Sequence, residues 1–177
     1  MSIKSIVNQL VKKYGTNNPF KIAKCMGILI VFEPLGNALG YYSKHFRVPI
    51  IHINQDKDKA SQFFICGHEL GHAVIQHPDT NTSFLKKHTL FSTDKLEIEA
   101  NTFAVELLLP DELFSEQDYS IFTIYDAIKE NGVPIELLSL KSVDGKILIT
   151  NRTFILIKGS DCYVKLSKKL NMKGDNL

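Results

Sequence analysis

Gly67-His68-Glu69-Leu70-Gly71-His72 follows the apolar run Phe63-Phe64-Ile65-Cys66 without a break, and reading this stretch as one long buried helix decides the fold. Two histidines at i and i+4 stand about 40° apart around a helix of roughly 3.6 residues per turn, so both imidazoles can reach one Zn²⁺ from the same side. Glu69 falls in the same arc. A carboxylate placed there suits a general base that takes a proton from water at the metal, which points to hydrolysis. Gly67 and Gly71 also share a side, and each costs about 1 kcal/mol relative to Ala in a helix interior. Close approach of a strand or a substrate is the expected reason.

Two histidines need a third ligand. His77 does not supply it: the pattern H-E-x-x-H-x-x-G-x-x-H requires a histidine six residues beyond His72 and a glycine between, and Gln76-His77-Pro78 offers neither. A second helix over Asp94 to Leu109, stopped by Pro110, buries a face made of Leu96, Ala100, Phe103, Ala104 and Leu107. At about 100° per residue Glu97 falls among these buried positions, whereas Glu99 and Glu106 share a border of the face. A carboxylate turned into a core needs a cation, so Glu97 is the expected third ligand. Glu99 is the competing ligand, and Asp94-Lys95-Leu96-Glu97 also resembles a capping box that would occupy Glu97 at the helix start. Asn101, four residues after Glu97, is placed to orient a histidine or the carboxylate from behind.

The flanks supply the scaffold. Ile3, Ile6, Val7, Leu10, Val11 and Tyr14 recur at helical spacing up to Gly15, and Asn18-Pro19 opens a short helix that runs to Met26. Residues 28–33, Leu39 to Ser43 and Val48 to Ile53 read as strands, with a meander as the simplest arrangement; the last two, joined by Lys44-His45-Phe46-Arg47, form a hairpin. That hairpin, over 38–53, is the expected strand-addition edge for a substrate backbone. His45 and His52 lack ligand spacing and read as exposed polar residues. Residues 78–93 read as a polar loop bordering the cleft. Downstream, Tyr119 to Glu130 and Pro134 to Leu140 read as short helices, and 145–150, 153–158 and 162–166 as strands. The whole reads as one α+β domain over 1–166: a helical N-terminus (1–26), strands (28–53), catalytic helices (56–109) and a mixed C-terminal part (110–166), with a flexible tail over 167–177.

A chain of 177 residues with 44% hydrophobic and 23% charged residues can bury a core without staples. Its 21 basic and 19 acidic residues leave a net charge of +2, which argues against a broad nucleic-acid surface. Cys25, Cys66 and Cys162 lie far apart with no C-x-x-C, so they read as small buried hydrophobes in a reducing cytoplasm. No apolar run approaches the roughly 18 residues of a membrane span, and no signal-peptide core opens the chain.

Phe64-Ile65-Cys66-Gly67-His68-Glu69-Leu70-Gly71-His72 together with Glu97-Ile98-Glu99-Ala100-Asn101-Thr102-Phe103-Ala104-Val105-Glu106-Leu107-Leu108-Leu109-Pro110 resembles the ImmA/IrrE family of metallopeptidases, and Ile50-Ile51-His52-Ile53-Asn54 does so more loosely. The resemblance implies a zincin-like α+β core with a small mixed sheet or meander packed on the metal helix. It implies His68 and His72 as Zn²⁺ ligands, Glu69 as catalytic base and an acidic ligand from the second motif. It also implies an endopeptidase of prophage or mobile-element type that cleaves a helix-turn-helix repressor and so switches on the genes the repressor silenced, and the missing signal-peptide core and membrane span place it in the cytosol. The rival expectation is a zinc-stabilised or toxin-like module that binds such a repressor without cutting it. The oxyanion donor is open among Tyr41, Tyr42 and His88.

Overall fold

The computed structural model describes residues 1–75, 85–86, 94–114, 121–142, 146–150, 153–158 and 162–167. Helix α1 (Ile3–Tyr14) begins at Ser2, whose hydroxyl accepts the Ser5 amide, and ends at Gly15 in the left-handed region (φ 66), whose N–H returns to Val11. Helix α2 (Pro19–Cys25) has the expected Asn18 cap, bonded to the Lys21 amide, and proline in its first turn. Both ends are thus set by local chemistry.

Strands β1 (Leu29–Glu33), β2 (Ala38–His45) and β3 (Val48–Asn54) form a mixed sheet with β4 (Leu85–Lys86), in the order β1-β3-β2-β4. The meander expectation is corrected here. β2 and β3 form the expected antiparallel hairpin, but β1 lies beside β3 and runs parallel to it, with Leu29 opposite Ile50 and Phe32 opposite Ile53. The physical reason lies in the Pro34 to Asn37 link, which carries the chain across the width of a strand. Asn54 holds this crossing in place: its buried amide donates to the carbonyls of Gly36 (3.0 Å) and Ala38 (2.7 Å). Alternation puts Ile51, Ile53 and Tyr42 on the face that meets the H-E-x-x-H helix, and Tyr41, Ser43 and His52 on the other.

The hairpin turn is a two-residue connection in which Phe46 (φ 48) and Arg47 (φ 70) both have positive φ, a type I′ geometry. Such turns favour Asn and Gly. A non-glycine residue there costs about 1–2 kcal/mol, and this turn carries two.

Helix α3 (Lys59–Ile75) starts where Asp58 accepts the Ser61 amide at 2.9 Å. Every residue from Phe64 to His72 is buried, because the sheet covers one side of the helix and α4 (Lys95–Leu108) the other. A helix enclosed on all sides must be apolar throughout or must satisfy its polar groups internally. Pro110 ends α4 and leads into a 3₁₀ turn, Asp111–Phe114. Helix α5 (Ile121–Glu130), a 3₁₀ segment (Ile135–Leu140) and an antiparallel sheet of β5 (Lys146–Thr150), β6 (Thr153–Lys158) and β7 (Cys162–Ser167) follow, close to the expected boundaries.

One buried ion network was not foreseen. Glu106, expected at the border of its helix face, is enclosed and accepts from Lys141 Nζ at 2.6 Å and from the Ser142 amide at 2.6 Å. Lys141 also reaches Asp111 at 2.6 Å, and Asp111 pairs with Lys4 of α1 at 2.8 Å. Both lysines hold the Asp111 carboxyl below its usual range against the opposing effect of burial. Cys66 is buried as expected, whereas Cys25 is exposed at the end of α2. The loop expected over 78–93 lies outside the described residues apart from β4, and so does the tail expected over 167–177 apart from Ser167, which ends β7.

Candidate metal centre

Helices α3 and α4 bring His68, His72 and Glu97 together. Their ligating atoms all lie within 4.8 Å of one another, and all three residues are buried. His68 Nε2 stands 3.1 Å from His72 Nε2 and 3.3 Å from Glu97 Oε2, and His72 Nε2 stands 3.7 Å from Glu97 Oε1. Nitrogen and oxygen donors about 2.0–2.1 Å from a tetrahedral ion are about 3.3 Å apart, so this trio has the spacing of three corners of such a site. Glu99 is turned away, 3.8 Å from Lys95 on its own helix.

The approach of the two helices that makes this possible is close. A Cβ on Gly71 would stand 3.1 Å from Phe103 Cβ and 3.2 Å from the Ala100 backbone, so the missing side chain lets α4 seat against the metal helix. The expectation of a close neighbour is met here by a helix, not a strand. Asn101, one turn beyond Glu97, places Oδ1 2.9 Å from His68 Nδ1. That contact sets His68 Nδ1 as the N–H donor and leaves Nε2 turned toward His72 and Glu97. Burial pulls the His68 pKa down, but the contact with Glu97 and the charges of Glu69 and Glu97 outweigh it and hold the pKa above the ordinary value. The same negative surroundings suit a metal cation.

Glu69 lies on the sheet side of α3. Strand β2 passes directly over it: a Cβ on Gly40 would stand 2.5 Å from Ile65 Cγ2 and 3.6 Å from Glu69 Oε1, so only glycine lets the strand cross here. Both Glu69 carboxylate oxygens are buried without a hydrogen-bond partner. Burial pushes its pKa up to about 7, with His68 opposing, Glu97 adding to the rise and the Tyr42 backbone opposing again. A carboxylate with that proton affinity can both accept and release a proton near neutrality. Cys66, on the same helix, has its thiol pKa raised by burial and by Glu69, as suits an inert core residue.

The outer face of the sheet corrects the expectation for His52. It is partly buried, with Nδ1 2.6 Å from Glu33 Oε1, Nε2 3.1 Å from Ser43 Oγ, and its ring stacked on Tyr41 at 4.1 Å. The Tyr41 hydroxyl donates to Glu33 at 3.3 Å. Tyr41 is therefore turned away from the metal centre, while Tyr42 shares the face of Glu69. His88 lies outside the described residues, as does the side chain of His45.

An H-E-x-x-H helix completed by a carboxylate from a following helix and flanked by a small mixed sheet defines a metallopeptidase of zincin-like build. A family model described as the IrrE N-terminal-like domain, Peptidase_M78, matches residues 23–141. The chain belongs to this family, the ImmA/IrrE metallopeptidases. It is 46% identical over 142 residues to "Uncharacterized immunity region protein 2" of Bacillus phage phi105, covering 80% of this chain and 89% of that protein. It is 36% identical over 116 residues to "Metallopeptidase ImmA" of Bacillus subtilis (strain 168), covering 64% and 67% respectively. No described helix is long and apolar enough to cross a membrane.

Proposed function

We propose that this chain is a zinc-dependent endopeptidase of narrow specificity whose substrate is a helix-turn-helix transcriptional repressor in the cytoplasm. The observation that carries the reading is the buried His68-His72-Glu97 trio with an unpartnered carboxylate, Glu69, one residue along. His68, His72 and Glu97 would hold the ion, and Asn101 fixes the tautomer and orientation of His68. When bound, zinc supplies Lewis acidity, polarising the scissile carbonyl and acidifying the attacking water. Glu69 takes the proton of that water and returns it to the departing amine, a double task its pKa of about 7 fits. Its burial under the glycine of β2 keeps bulk water from competing for the proton. The repressor as substrate rests on the family resemblance, and the phage relative's description as an immunity region protein supports it.

The test uses purified, zinc-loaded wild type and Glu69→Gln against any helix-turn-helix protein encoded beside the gene. Cleavage should fall by about 10²-fold or more in the variant while bound zinc stays unchanged. If the variant matches wild type in its effect on the repressor, and neither cuts it, the chain acts by binding and the peptidase reading fails.

A further inference from the structure

The β2–β3 hairpin ends in a turn whose two central residues, Phe46 and Arg47, are ill suited to it, since both carry positive φ where Asn and Gly would sit without strain. The ring is not spent on the core: Phe46 is 93% exposed, the most exposed large hydrophobic residue described, and Val48 beside it is 42% exposed. The tip is also one-signed. Lys44 and Arg47 are exposed there, and from Pro34 to Gln55 the sequence carries no acidic residue. Local strain held in place by the surrounding fold marks a site of use. An outward aromatic ring between two cations fits an acidic segment that carries an apolar side chain.

Position along the strand says what that use is. β2 passes over Glu69 at Gly40 and Tyr42 and continues to the tip, four residues and about 13 Å farther at about 3.3 Å per residue. Strand β4 pairs with β2 at Ala38 and Gly40, on the far side of this stretch from the tip. We propose that the hairpin tip is a specificity site of the peptidase. Phe46, with Lys44 and Arg47, engages an acidic, apolar segment of the substrate protein about four residues from the bond cut beside Glu69. The proposal rests on the peptidase reading and adds to it the chemistry by which the substrate is chosen.

The experiment compares wild type, F46N/R47G and R47E, all zinc-loaded, on a proteome-derived peptide library, with Glu69→Gln as blank and cut bonds read by mass spectrometry. Asn-Gly relieves the turn, so F46N/R47G should melt no lower than wild type. Wild type should prefer peptides with Asp or Glu and an apolar residue about four positions from the cut. That preference, as a ratio of rates against peptides of equal length without them, should fall at least tenfold in F46N/R47G and shift toward Lys and Arg in R47E. Cleavage by wild type without such a preference, or an unchanged preference in both variants, overturns the proposal and leaves the peptidase reading standing. A wild type no more active than Glu69→Gln removes both. Competition by a short DNA duplex that depends on Phe46 and Arg47 would make the tip a nucleic-acid contact and also overturn it.

Discussion

Gly67 and Gly71 occupy one side of α3, yet alanine at the two positions should have opposite effects. At Gly67 a new methyl would meet Leu108 Cδ1 at 3.4 Å and Ala104 Cβ at 3.6 Å, ordinary contact distances. Gly67→Ala therefore gains about 1 kcal/mol of helix propensity and up to about 0.8 kcal/mol from burying a methyl. At Gly71 the methyl would meet the Ala100 backbone at 3.2 Å and Phe103 Cβ at 3.1 Å, and a helix backbone does not yield as a side chain does. Overpacking of this kind costs about 1–3 kcal/mol, which cancels or exceeds the propensity gain. Pushing α4 outward by a few tenths of an ångström also moves Glu97, which stands 3.3 Å and 3.7 Å from the two histidines. Metal sites tolerate about 0.2 Å in a ligand distance, so zinc affinity should drop about tenfold or more. Urea unfolding of the metal-free proteins, with zinc affinity measured separately by competition against a chromophoric chelator, keeps the two effects apart. A Gly71→Ala protein that gains stability as Gly67→Ala does and binds zinc like wild type would refute the account of how the helices seat.

Replacing Asn101 by Ala removes the acceptor on His68 Nδ1 while leaving the three proposed ligands in place, and should weaken zinc binding by about 10–100-fold with the fold intact by circular dichroism. The pH dependence of the metal-free protein has a definite sign. The Glu69 pKa is raised from 4.5 to about 7, so the folded state holds that proton more tightly than the unfolded chain, and its contribution to stability is lost as pH rises from 4.5 to about 7. Glu69→Gln cannot ionise and escapes the loss, so above pH 7 it should be more stable than wild type by about 3 kcal/mol, with the gap closing toward pH 4.5. Urea midpoints across that range, taken with chelator present, check it, and curves that stay parallel would count against a buried Glu69.

What could be read from the sequence depended on how far apart the interacting residues are. Gly15, Asn18 and Pro19 act within one turn of their own helix ends, and those ends lie where their chemistry put them. The inward direction of Glu97 was legible because it follows from the periodicity of a single helix whose buried face is plain. The order of the sheet was not, since nothing local to Leu29–Glu33 says which neighbour it will choose, and the answer depends on Asn54 binding the link between β1 and β2. His52 was misread for a similar reason: its partners Glu33 and Ser43 come from two other strands, and none of the three spacings is a motif. Glu106 shows the limit of facing arguments. Its angle put it at the edge of the core, and only Lys141, 35 residues away, draws it inside.

That last pair bears on where the chain can be shortened. Lys141 and Glu106 each have 1% of the side chain exposed, and the Ser142 amide closes the second Glu106 oxygen. A chain ending at Ser142 keeps the whole clamp across α1, α4 and the two 3₁₀ turns. One ending at Leu140 strands a carboxylate inside the protein, and losing one partner of such a pair costs about 3–5 kcal/mol. Two residues thus divide a truncation that leaves α4, and with it Glu97, anchored from one that spends much of a small domain's stability on a single unpaired charge.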